Sequence, residues 1–102
     1  SEKLEVNGRI KATGRVLSGE VRGTNITENT IFDALKNVIP TVGDEMIISG
    51  GSFMDNKVNT FSKAYRYSAT QIYLYFLDDT GVPTHKVIDD WSSISYNISL
   101  SW

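Results

Sequence analysis

A chain of 102 residues with 10 basic and 12 acidic side chains, 40% hydrophobic content and no cysteine fits one ordinary domain and excludes disulfide scaffolds and thiolate metal sites. No apolar run approaches the roughly 18 residues of a membrane-spanning helix, and Ser1-Glu2-Lys3 is not followed by the apolar block of a secretory leader, so no membrane insertion is expected. The charge is unevenly spread: residues 1–23 carry five bases against three acids and the remainder five against nine, which predicts two regions of different character and argues against a nucleic-acid partner.

The first region contains a six-residue unit, Leu4-Glu5-Val6-Asn7-Gly8-Arg9 then Ile10-Lys11-Ala12-Thr13-Gly14-Arg15, with a degraded third copy from Val16. In an extended backbone Leu4, Val6, Ile10, Ala12 and Val16 point to one side, a stripe too thin to bury itself. Two arrangements supply the missing cover. Short antiparallel hairpins can turn at Asn7-Gly8 and at Thr13-Gly14 or Ser18-Gly19, or identical chains can lie in parallel as an oligomeric stem. The period then changes: Ile31, Ala34, Leu35 and Val38 have helical spacing, with Phe32 and Ile39 widening the face. Asn25 with Glu28, or Thr27 alone, can cap the start, and Pro40 forces an end, so a helix over residues 28–38 is predicted.

Beyond Pro40 the pattern is β. Residues 45–49 form a short strand ended by Gly50-Gly51, and residues 52–54 resume before a turn at Asp55-Asn56-Lys57. Residues 61–70 alternate with Phe61, Lys63, Tyr65 and Tyr67 on one side, and residues 71–77 are apolar on both, as in a strand covered on two faces, where the second cover can be a neighbouring subunit. After a turn at Asp78-Asp79-Thr80-Gly81, residues 82–88 read as a strand that Pro83 places at an edge or at its start. In the last strand Ile94, Tyr96, Ile98, Leu100 and Trp102 face inward between outward serines and Asn97, making it a main wall of the core.

Residues suited to catalysis are sparse. His85 stands without a nucleophile motif or cysteine partner, and the pairs Asp44-Glu45, Asp78-Asp79 and Asp89-Asp90 place adjacent carboxylates on opposite faces of an extended chain, which suits solvated turns better than acid–base work. The Asp78 turn lacks the spacing and terminal glutamate of a calcium loop, and Gly50-Gly51 precedes a strand rather than a helix. No enzyme activity, metal or cofactor is expected. The candidate ligand residues are aromatic: Trp91 beside Asp89 and Asp90, either a lid on the core or displayed for a sugar, and Tyr65, Arg66 and Tyr67, whose other role is core and interface packing.

The succession of glycine-punctuated ribbon, short helix and serine-rich β-head, carried by residues 4–23 and more weakly by residues 49–54 and 92–102, resembles the distal ends of bacteriophage tail fibres and receptor-binding proteins. The resemblance implies a mainly β fold in three parts: a β-stem over 1–23, a helical collar over 24–40 and a compact antiparallel, jelly-roll-like β-sandwich head over 41–102. It also implies a parallel homotrimer in an extracellular virion, joined to the rest of the fibre by the stem. The head would adhere to a saccharide or protein receptor on a bacterial surface, and no catalytic residue is carried across. The alternative reading of the same residues is a monomeric β-sandwich carbohydrate-binding module or a structural capsid or tail component.

Overall fold

The computed structural model describes residues 14–17, 19–55, 58 and 60–102. The elements run β1 (Gly14–Leu17), β2 (Glu20–Thr27), α1 (Glu28–Lys36), β3 (Glu45–Ile47), β4 (Gly50–Phe53), β5 (Phe61–Arg66), β6 (Gln71–Leu77), β7 (Pro83–Asp89) and β8 (Ser95–Ser101). They form two antiparallel sheets, ordered β1-β2-β8-β4 and β3-β5-β6-β7, the mainly β sandwich that the alternation predicts. Val21, Ile26, Ile98 and Leu100 from the first sheet meet Ala64, Ile72, Leu74 and Ile88 from the second in one buried cluster. Phe53, Phe61 and Phe76 close one end of it with edge-to-face contacts at 5.1 to 5.8 Å.

β1 and β2 form a hairpin that turns at Gly19, whose φ of 91° favours glycine, and β2 then pairs along β8 with Val21 opposite Leu100. β8 thus lies along β2, and Trp102 fastens the turn further by donating its amide to the Gly19 carbonyl at 3.0 Å. β2 runs across the boundary expected after residue 23, and the expected collar helix buries Ile31, Phe32 and Leu35 in the same cluster. Among the described residues the helix thus finds its apolar partner inside the sandwich. Residues 1–13, the rest of the expected stem, lie outside the described residues.

Helix α1 has Thr27 as its N-cap, but no side-chain cap is made. Its first free amides are satisfied by backbone instead: Glu28 donates to the Ile94 carbonyl at 2.8 Å and Asn29 to the Ser92 carbonyl at 3.0 Å. The helix ends two residues before the expected end because the Leu35 carbonyl accepts from both Val38 and Ile39 at 3.0 Å. That tighter turn exposes Val38 and buries Ile39.

The stretch across β3 and β4 is a corner that joins the sheets. Ile48 donates to Ser62 in the second sheet at 2.9 Å and Ser49 to Ser101 in the first at 2.8 Å. Beyond the corner β4 lies so close to β8 that a Cβ on Gly51 would stand 1.9 Å from the Ser99 carbonyl oxygen, so this position admits no side chain. The last strand corrects one expectation. Ile98 and Leu100 are core, but Ile94 precedes the strand and is exposed.

Glu28 is 3% exposed and reaches both sheets. Its Oε1 accepts the Asp89 amide of β7 at 3.1 Å and its Oε2 accepts the Tyr96 hydroxyl of β8. Burial, then the hydrogen bond and charge of Glu28, hold the Tyr96 phenol well above the ordinary tyrosine range. The protonated phenol is the form the fold favours. Its contribution is therefore complete below the unfolded-state pKa of about 10 and is lost as pH rises from there toward the folded-state value.

Three outcomes are expected. Glu28→Ala, which strands a buried amide and a phenol, lowers the unfolding free energy by about 3 kcal/mol in chemical denaturation, and Tyr96→Phe removes the excess loss of stability that the parent protein shows above about pH 10. Deleting residues 1–23 abolishes cooperative thermal unfolding by circular dichroism, since it removes β1 and half of β2; a truncated chain that melts as sharply as the parent contradicts the shared sheet.

Candidate functional site

Two turns set the register of the second sheet's outer face. The first is centred on Ala69: Tyr67 and Ser68 donate to the Gln71 carbonyl at 3.1 and 3.2 Å. Arg66 braces it from below, donating Nε to Ser68, Nη2 to Ala69 and Nη1 to Ile39, each to a carbonyl at 2.9 Å, with its guanidinium 5.0 Å above the Phe32 ring. In the second turn Asp78 Oδ1 accepts from the Thr80 hydroxyl at 2.7 Å, the Thr80 amide at 2.8 Å and the Val82 amide at 2.9 Å. These bonds, the Thr80 hydroxyl first, hold the Asp78 carboxyl below the ordinary carboxylate range. The turn chemistry read in Asp78-Asp79-Thr80-Gly81 is thus what the structure makes of it.

With those turns fixed, Tyr65 lies opposite Tyr73 and Tyr75 opposite His85. A register shift between Phe61 and Lys63 resets the alternation, so Phe61 enters the core while Lys63 and Tyr65 face outward. The outer face then carries a ladder of rings. Tyr67 stacks on Tyr73 at 4.5 Å and 11°, and Tyr73 on His85 at 4.8 Å and 18°. Tyr65 meets Tyr73 edge-on at 6.3 Å, and Tyr75 meets His85 at 5.5 Å. Near-parallel rings at the spacing of neighbouring strands, about 4.8 Å, must stand upright, face against face. Tyr73 therefore has both faces covered, and burial followed by the charge and hydrogen bond of Tyr67 push its phenol above the usual range. Tyr67, at one end of the row, is 48% exposed.

At the Tyr75 end lies an open cleft of about 260 Å³ lined by Lys63, Tyr75, Phe76, Pro83, Thr84 and His85, with Ser62 at its side. Lys63 Nζ stands 5.2 Å from the Tyr75 centroid and 3.2 Å from Glu45 Oε1. A second open hollow of about 390 Å³ lies beyond the sheet end, between Phe53, Phe76 and the Asp78 turn, and there the Asp78 carboxylate is already committed to its own amides.

Of the residues read from sequence, Tyr65 and Tyr67 belong to the ladder, joined by Tyr73, Tyr75, His85 and Lys63. Arg66 is buried on the opposite side of β5, where its donors serve backbone carbonyls. Trp91 is 74% exposed, so it is displayed and is not a lid. The reason is local: Ser92 is buried beneath the helix, its carbonyl held by the Asn29 amide, and turning Ser92 inward turns Trp91 out. Asp89 is half-buried, with Oδ1 accepting from Gln71 Nε2 at 3.0 Å, and the Asp90 amide donates to Thr70 at 3.0 Å, which pins the Trp91 loop beside the Ala69 turn. His85, which has no nucleophile motif or cysteine partner in the sequence, stacks on Tyr73. A cross-strand reading from the two turn centres would have found Tyr73, Tyr75 and His85.

Among the described residues no group of three or more His, Asp or Glu side chains gathers in a way that can hold a metal ion, and no helix is long and apolar enough to cross a membrane. Compared with models of known protein families, with curated proteins and with solved structures, the chain gives no match.

The Asp78 turn yields a pH test. Its ionised carboxylate is the form the fold favours, so the contribution is present above the ordinary value of 3.8 and is lost as pH falls through the lower folded-state value. A carboxyl-carbon NMR titration should place the Asp78 midpoint below 3.8, and Thr80→Ala should move it upward; a midpoint at or above the ordinary value contradicts the geometry.

Proposed function

We propose that this domain is a non-enzymatic adhesion module that holds a surface saccharide against the aromatic outer face of β5, β6 and β7. The ladder carries this reading. Five rings, Tyr65, Tyr67, Tyr73, Tyr75 and His85, occupy the side of the sheet that faces away from the core, where they contribute nothing to core packing. Tyrosine is rigid, amphipathic and cheap to order, which suits a contact surface. Cross-strand stacking fixes these rings before any partner arrives, and their hydroxyls offer donors and acceptors to a polyhydroxyl ligand.

A second reading keeps the bacteriophage setting: a homotrimeric, extracellular fibre tip attached to the virion through its first residues, with a bacterial saccharide or protein as receptor. The observation that favours it is the same uncovered face, since β6 is apolar on both sides and copies of the chain can provide the second cover. The pairing of β1 with β2 and of β2 with β8 within one chain supports the monomeric module as the first reading.

A glycan array probed with the parent protein, Tyr75→Ala, Tyr67→Ala and Trp91→Ala separates these cases. Loss of at least about tenfold in affinity, about 1.4 kcal/mol, in the two tyrosine variants supports the ladder; loss confined to Trp91→Ala moves the site to the loop after β7. Light scattering settles the oligomer: a trimer that falls apart in Tyr73→Ala favours the second reading, and a monomer at micromolar concentration removes it.

A further inference from the structure

Resting on the saccharide reading above, we propose that the cleft at the Tyr75 end of the ladder takes a carboxylate-bearing sugar, and that Lys63 selects the acid. The cleft, about 260 Å³, is smaller than the roughly 300–1,000 Å³ of pockets for drug-sized ligands, so it suits one sugar unit at a time. Its walls divide by chemistry. Phe76 and Pro83 give apolar surface for the C–H groups of a pyranose, while the Thr84 hydroxyl and the His85 ring give polar partners for its substituents; the Ser62 hydroxyl already donates to the Tyr75 carbonyl at 3.3 Å. The one formal charge among the lining residues is the Lys63 ammonium, which makes the cleft complementary to an anion.

Lys63 is paired but displaceable. Its contact with Glu45, 3.2 Å long, joins side chains that are 38% and 50% exposed, and exposed ion pairs of this kind contribute little. A sugar carboxylate entering over Tyr75 can take the place of Glu45 while the ammonium keeps its position above the ring, 5.2 Å from the centroid. Other anions fit less well. A phosphate group asks for several convergent amide or guanidinium donors, and the cleft offers one ammonium.

The test is an amide NMR titration of the full chain with glucuronate, glucose and inorganic phosphate in turn. Glucuronate should shift the signals of Lys63, Tyr75, Thr84 and His85 and bind at least about tenfold more tightly than glucose. Lys63→Gln should erase that preference, Lys63→Arg should retain it, and Glu45→Gln should strengthen glucuronate binding several-fold by removing the competitor. A preference that survives Lys63→Gln, phosphate binding as strong as glucuronate, or cleft signals that ignore glucuronate while the array still reports saccharide binding overturns this inference alone. Absence of every sugar from both the cleft and the array overturns the saccharide reading with it.

Discussion

The Glu28 carboxylate, buried at the first residue of α1, accepts the Asp89 amide from one sheet and the Tyr96 hydroxyl from the other. A carboxylate out of water costs several kcal/mol unless its oxygens are satisfied, and here both are, by groups that belong to different layers. The arrangement of the layers is constrained accordingly. Moving the helix, the end of β7 or the start of β8 independently would strand a charge, so the three must be placed together. The loop over residues 92–94 completes the junction by giving its carbonyls to the first helical amides, and that choice of rotation sends Ser92 in and Trp91 out. One electrostatic requirement thus reaches from the helix start to the most exposed aromatic side chain of the described residues.

The outer face follows from the inner one. Ile72 and Leu74 are committed to the core, so Tyr73 and Tyr75 must project to the other side, and the antiparallel register brings Tyr65 and His85 beside them. The two turns determine which rings meet. Arg66, on the buried side of β5, holds the Ala69 turn with three bonds to carbonyls, and Asp78 holds the next turn with its own amides. Residues that never face the ligand surface therefore set its geometry.

Much of the sandwich was legible because alternation is a local signal: residues 71–77 and the Ile98, Leu100 pattern name their strands without knowledge of the partner. Where the reading failed, the missing fact was non-local. Glu28 was read as part of a cap, and its partners lie 61 and 68 positions away. The stripe of Leu4, Val6, Ile10, Ala12 and Val16 admits hairpins or neighbouring chains alike, and the pairing of β2 with β8 joins segments far apart in sequence that a local pattern does not name. Phe61 shares its expected side with Tyr65, and a register shift invisible to a period of two separates them. The ladder was half seen, as Tyr65 and Tyr67, because one strand at a time shows no cross-strand neighbours. Trp91 was undecidable from composition, since a tryptophan in a polar loop satisfies either rotation of that loop.

β7 is an edge of its sheet, and its ends differ from its middle. Pro83 has no amide to offer, and the Asp89 amide is turned away from β6 toward Glu28, so the alternate residues His85 and Val87 share the open side between two blocked positions. An incoming strand would find a ladder of only a rung or two there, too short to template the growth of a filament. A surface crowded with tyrosines can on this account stay in water beside an open edge without seeding aggregation.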